Sequence, residues 1–226
     1  MNSQAIKNEK GFSLIEVLVA ITLVSIVFAI FAGFTFSEAD DLEGAVSDVE
    51  RAVRFSVDEA ALRNVIVRTR FYLDSSPQKM SVEYGPDDSF VIPLSQVEPP
   101  TSSVLDKEEN DKEDKEFNKK FNRVPEFSDG PREVNDTVRI VGVGSALTGL
   151  LFLDGQGSIY AYPTGEKDGG IVILSNQKQI VGVTFAPFLL GFDKIRKNID
   201  PDISLDELPE EQDKMAKEMF ESWVKK

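Results

Sequence analysis

The residues best placed to do chemistry lie at the very start of the chain. A short polar segment containing Lys7 and Lys10 ends at Gly11. From Phe12 to Phe36 the sequence is almost wholly apolar, with one charge, Glu16, five positions past the glycine. An ionised carboxylate near the start of a membrane helix is costly, so it requires a neutralising partner. A small residue at the polar–apolar junction and a lone acid just inside it are thus two features a plain membrane anchor does not need.

The rest of the composition excludes more than it offers. The chain has 226 residues, no cysteine and no histidine. Serine–histidine and cysteine–histidine catalysis are therefore absent, as is the commonest metal ligand. The net charge of −14 disfavours nucleic acid, whose phosphates must be neutralised by lysine and arginine. The acidic clusters Asp87-Asp88 and Asp154-Gly155-Gln156-Gly157 lack the alternating oxygen ligands and closing glutamate of a calcium-binding EF-hand loop. The glycines between Gly142 and Gly157 form no phosphate-binding fingerprint followed by a helix. No catalytic residue, metal ligand or cofactor is expected, and the chain reads as a non-enzyme.

What must position Gly11, Phe12 and Glu16 is a long helix. At ~1.5 Å per residue, about 20 residues cross a ~30 Å hydrocarbon core, so residues 12–36 are long enough to span it. The lysines before the span and the acids Glu38, Asp40, Asp41 and Glu43 after it place the leader in the cytoplasm and the bulk of the chain outside. Over residues 37–64 the pattern becomes amphipathic. Leu42, Val46, Val49, Val53, Val57 and Ala60 recur at helical spacing among charged residues, which predicts that the helix continues to about Asn64.

Residues 65–190 read as a β-rich domain. Strand signals cover Val65 to Leu73, Lys79 to Tyr84, Ser89 to Leu94, Thr137 to Val141, Gly149 to Leu153, Ser158 to Tyr162, Gly170 to Leu174 and Gln179 to Pro187. Asp154-Gly155-Gln156-Gly157 reads as a hairpin turn joining two of them. Within this domain, residues 98–132 contain the run Asp106 to Glu116, eleven residues with ten charges, so the spacing predicts a solvated, disordered insertion. Residues 191–226 read as an acidic tail, with a short helix around Met215, Met219, Phe220 and Trp223. The fold class is α+β: a long amino-terminal helix packed on an antiparallel sheet domain.

The amino-terminal pattern resembles the type IV pilin and pseudopilin family. The resemblance rests on Lys10-Gly11-Phe12-Ser13-Leu14-Ile15-Glu16-Val17 and the apolar run behind it. It implies that residues 1–11 are a leader, removed by a prepilin peptidase between Gly11 and Phe12. It further implies N-methylation of the new Phe12 amine and an assembly role for Glu16, paired with the terminal amine of a neighbouring subunit. The stretch Asp48 to Asn64, running into the strand at Val65, and Phe152 to Ile159 resemble the minor pseudopilin H of type II secretion (the GspH/FimT group). The implied function is a minor pseudopilin of a type II secretion system, in the bacterial inner membrane with its domain in the periplasm, joining a pseudopilus near its tip. Its implied partners are the peptidase, other pseudopilins or pilins, the inner-membrane assembly platform and the membrane itself. A minor type IV pilin of a motility or adhesion fibre is the alternative within the class. A signal-anchored periplasmic enzyme or binding protein is the alternative outside it.

Overall fold

The computed structural model describes residues 13–86, 115–188 and 191–225. The chain divides into two compact units, Met1–Asp40 and Asp41–Lys226. Helix α1 (Leu14–Arg63) contributes residues to both. In the first unit, its side chains from Leu14 to Phe28 are exposed on every side. In the second unit, Leu42, Val46, Val49, Val53, Val57 and Ala60 are buried. Their spacing puts one stripe on one face, as a core-packing helix requires. The helix stops at Asn64, whose φ of 55° is the left-handed conformation that commonly closes a helix.

Two antiparallel sheets cover that stripe. The first consists of β1 (Val67–Tyr72) and β2 (Lys79–Tyr84), with the short strands β3 (Asn122–Arg123) and β4 (Arg132–Glu133) both pairing with β2. Then β5 (Arg139–Ser145) and β6 (Leu151–Phe152) belong to the second sheet, while β7 (Gln156–Ala161) returns to the first. The second sheet is completed by β8 (Gly170–Ser175), β9 (Gln179–Phe185) and β10 (Asp193–Asn198). The orders are β3-β2-β1-β7 and β10-β9-β8-β5-β6.

Strand alternation assigns the faces. Val67, Thr69 and Phe71 of β1 turn toward α1, and Val172 and Leu174 of β8, with Val181 and Val183 of β9, share the same core. The Thr69 and Ser56 hydroxyls lie 2.6 Å apart, and Ser56 Oγ donates to the Ala52 carbonyl at 2.9 Å. These buried polar atoms are therefore satisfied within the helix–sheet interface. A β-bulge between Ile140 and Gly142 lets both Ile140 and Val143 reach the α1 core while Val141 points outward.

A second helix, α2 (Leu208–Val224), lies on the outer face of the second sheet. Its Ala216, Met219 and Phe220 pack on Val141, Ile171, Ile173 and Ile180. This explains why β8 reads as an unbroken apolar run: it is buried on both faces. Gly144 makes the approach possible, since a Cβ there would lie 2.5 Å from the Phe220 ring. The polar anchor is Gln212, which donates to Ser175 Oγ and to the Asn176 carbonyl, both at 3.1 Å.

The structure departs from the sequence expectations in three places. First, Gly149 to Tyr162 is not a hairpin. β6 pairs with β5 and β7 pairs with β1, so the turn carries the chain from one sheet to the other. Gly155, at φ +65°, supports the crossing. Its N–H donates to Asp74 Oδ1 at 2.8 Å, and its carbonyl accepts from Leu73 N–H at 2.9 Å. Second, the carboxy-terminal part of the expected disordered insertion 98–132 is structured. Phe117, Phe121, Val124 and Phe127 are buried, and Val124 N–H donates to the Val82 carbonyl at 3.1 Å. A high average charge concealed four well-spaced apolar anchors. Third, residues 191–225 hold, besides the expected helix, a strand that the reading as an acidic tail did not include. β10 is an edge strand of ordinary charged composition. Lys194 pairs with Glu50 at 2.9 Å and Arg196 pairs with Glu43, so α1 supplies its partners. The expected strand Ser89 to Leu94 and the charged run up to Asp114 lie outside the described residues.

Met219 is fully buried between α2 and the second sheet. Met219→Ala should therefore lower stability by about 2–5 kcal/mol. The measurement is denaturant unfolding followed by the fluorescence of Trp223, the single tryptophan, which sits 6.0 Å from the Phe220 ring.

Candidate functional site

Of the three residues that the sequence singles out, the structure describes one. Glu16 lies in the first turn of α1 and is exposed. Gly11 and Phe12 lie outside the described residues. The helix opens on Ser13, which precedes its first residue. The Glu16 backbone N–H donates to the Ser13 carbonyl at 3.0 Å and to Ser13 Oγ at 3.3 Å. Ser13-Leu14-Ile15-Glu16 thus has the spacing of a capping box, with the serine hydroxyl and carbonyl sharing one first-turn donor. The carboxylate also stands at the positive end of the helix dipole, an effect of about 0.3–1 kcal/mol. Glu16 therefore has a local reason for its position, besides any contact with another chain.

The turns that follow present apolar side chains all round. Leu14 is 82% exposed, Ile15 72% and Phe28 75%. The polar exception, Thr22, donates its hydroxyl to the Leu18 carbonyl at 2.8 Å and so is satisfied inside the helix. Among the described residues no helix is long and apolar enough to cross a membrane. The expected span runs beyond them, because Phe12 and the side chains of residues 29–36 are not described.

In comparison with known families, residues 6–32 match the model described as the prokaryotic N-terminal methylation motif. The matched stretch contains Gly11, Phe12, the Ser13 cap, Glu16 and the exposed apolar turns. That supports a type IV pilin-like chain. Such a motif implies processing by a prepilin peptidase and assembly with other pilins. Among the curated proteins nothing matches, and among the solved structures nothing matches.

A second constellation, on the outer face of the first sheet, centres on a buried ion pair. β1 turns Arg68, Arg70 and Tyr72 outward. Arg68 is fully buried. Its Nε and Nη2 donate to Glu83 Oε2 at 2.9 and 2.6 Å, and its Nη1 donates to Asn118 Oδ1 at 2.8 Å. The Phe121 ring centroid lies 3.8 Å from the guanidinium carbon, and Phe117 lies at 5.9 Å. Tyr72 Oη and Ser81 Oγ donate to the other Glu83 oxygen at 3.0 and 2.9 Å. Burial pushes the Glu83 carboxyl up, but Arg68, Arg70 and Ser81 together outweigh it and hold the group below the usual carboxylate range.

Nearby, Asp168 accepts from Tyr162 Oη at 2.8 Å and from the Tyr160 N–H at 3.2 Å. Burial raises its pKa despite those bonds. Burial, together with the Asp168 charge, raises Tyr162 as well. No group of three or more acidic residues that could hold a metal ion occurs among the described residues. Asp154 is exposed, and Asp87-Asp88 lies outside the described residues.

Sequence reasoning missed this network. Alternation along β1 does put both arginines on one face, but nothing local announces that Phe117 and Phe121, some 50 residues on, will close over one of them.

Two outcomes follow. Arg68→Met leaves Glu83 buried without its main partner and should cost about 3–5 kcal/mol, whereas the double variant Arg68→Met, Glu83→Met should recover most of that loss. Because the folded pKa of Glu83 is depressed, its contribution is fully present above the unfolded value of about 4.3 and fades as pH falls through the lower folded value. Unfolding midpoints between pH 2 and 7 should therefore fall less steeply on the acid side in Glu83→Gln than in the unsubstituted chain.

Proposed function

We propose that this chain is a minor pseudopilin of a type II secretion system. In this reading a prepilin peptidase cuts between Gly11 and Phe12, and the Phe12 amine is then methylated. Residues 12–36 hold the subunit in the bacterial inner membrane with its leader in the cytoplasm. The domain that follows lies in the periplasm, and the subunit passes through the assembly platform into a pseudopilus near its tip. Its role is structural rather than enzymatic.

The observation that carries the reading is a coincidence in one segment. A capped helix start, a lone carboxylate and exposed apolar turns all fall inside the matched methylation motif. Exposed apolar turns of this kind need lipid or other helices around them. Once cleavage creates a terminal amine, a neighbouring subunit's Phe12 can neutralise Glu16 in a dry filament core, where an unpaired carboxylate is costly.

The protein isolated from its native membrane should begin at Phe12, with an added methyl group, by intact mass and terminal peptide sequencing. A start at Met1 in a host with an active peptidase would overturn the reading. Gly11→Leu should leave the precursor uncut, visible as an unshifted band on a gel. Glu16→Gln keeps the Ser13 cap and removes the charge, so cleavage should persist while incorporation into filaments drops. A loss confined to the helix-end effect of about 0.3–1 kcal/mol would leave incorporation nearly normal and refute the pairing role.

A further inference from the structure

The turn between β4 and β5 carries a pattern that neither the fold nor the amino-terminal motif uses. It reads Asn135-Asp136-Thr137. Asparagine, any residue but proline, then serine or threonine is the acceptor pattern for N-linked glycans. Of all the asparagines in the sequence, Asn135 alone has a serine or threonine two positions on. So short a pattern also arises by chance, and its placement in the fold decides what it is worth.

Placement favours an acceptor. Asn135, Asp136 and Thr137 are all exposed, between the buried Val134 and Val138. The Val138 N–H donates to the Asn135 carbonyl at 2.9 Å and closes a β-turn. Within it, the Thr137 N–H donates to Asn135 Oδ1 at 3.0 Å, an Asx turn. The Thr137 hydroxyl oxygen lies 2.9 Å from Asp41 Oδ2 and 3.0 Å from Asn135 Oδ1. Its single proton goes to the carboxylate, the stronger acceptor. Asn135 Oδ1 is thus held toward its own backbone. Asn135 Nδ2 donates to no partner among the described residues. The turn asks only for a side-chain oxygen at position 135, which aspartate would supply equally well. The amide nitrogen is therefore a reactive-site candidate that the fold itself does not employ.

We propose that Asn135 is an N-glycosylation site, with a glycan carried on a polyprenyl diphosphate as the donor. Asn135 Nδ2 bonds to the anomeric carbon of the first sugar. The bond from that carbon to the diphosphate oxygen breaks, and the polyprenyl diphosphate leaves with the electron pair. The transferase takes one Nδ2 proton. The Thr137 hydroxyl offers the transferase a second point of contact, since its bond to Asp41 is exposed and exchangeable. The site rests on the reading that places this domain in the periplasm.

The test uses the full chain isolated from its native membrane. Trypsin cuts after Arg132 and Arg139, so the residues between them form one peptide whose single asparagine is Asn135. Tandem mass spectrometry should find that peptide with added sugar mass on Asn135. Asn135→Asp keeps the turn oxygen and removes the nitrogen, so the added mass should vanish while the unfolding midpoint holds. Thr137→Ser should retain the glycan and Thr137→Val should lose it. A bare peptide would overturn the site, as would sugar mass on the chain that persists in full in Asn135→Asp. A bare peptide from a chain that begins at Phe12 would leave the processing reading standing. A glycan on a chain that begins at Met1 would support the site and overturn the processing, so the two readings fail separately.

Discussion

One apolar stripe organises the second unit. Leu42, Val46, Val49, Val53, Val57 and Ala60 of α1 are buried under both sheets at once, and each fully buried valine or leucine contributes about 1.5–3 kcal/mol. The two sheets form separate hydrogen-bonded networks. What joins them is this shared core and three chain crossings, from β4 to β5, from β6 to β7 at Gly155, and from β7 to β8. Withdrawing the helix face would leave two twisted sheets, each with an uncovered apolar side. The outer elements then follow: α2 covers the back of the second sheet, and Phe117 and Phe121 cover part of the back of the first.

The two outer covers work differently. α2 closes its sheet by ordinary apolar packing around Met219, with Gln212 satisfying the polar ends of β8. The segment bearing Phe117 and Phe121 closes its sheet around a charge. Burying Arg68 is tolerable because Glu83, Asn118 and two aromatic faces surround it. A buried ion pair of this sort is weak evidence for stability, since the desolvation cost can rival the attraction. Its more secure effect is positional: that segment can seat in few other ways without leaving a charge unpaired.

The first unit obeys the opposite rule. Its turns from Leu14 to Phe28 expose apolar groups on all sides, and no partner within the described residues covers them. Glu16 and Ser13 belong to the start of this helix, where capping and the helix dipole already account for a hydroxyl and an acid three residues apart. A pairing role for Glu16 adds to that local role rather than replacing it.

The sequence by itself determined the elements whose cause is local. Helical spacing from Leu42 to Ala60 predicted the α1 stripe, alternation and turn residues located β1, β2, β8 and β9 within two residues, and Met215, Met219, Phe220 and Trp223 marked the apolar face of α2. The motif around Gly11 and Glu16 was legible because it is a contiguous pattern. Tertiary structure alone decided what depends on distant partners. An Asp-Gly turn between two strands looks like a hairpin from either side, and only pairing with β5 and β1 sends its strands into different sheets. β10 lacks any apolar signature because its side chains meet acids of α1 about 150 residues earlier in the chain. Arg68 and Arg70 look alike in the sequence, two positions apart on one strand. Their difference, one sealed under Phe121 and one left 11% exposed, arises from a segment that folds over the sheet, and no local propensity encodes it.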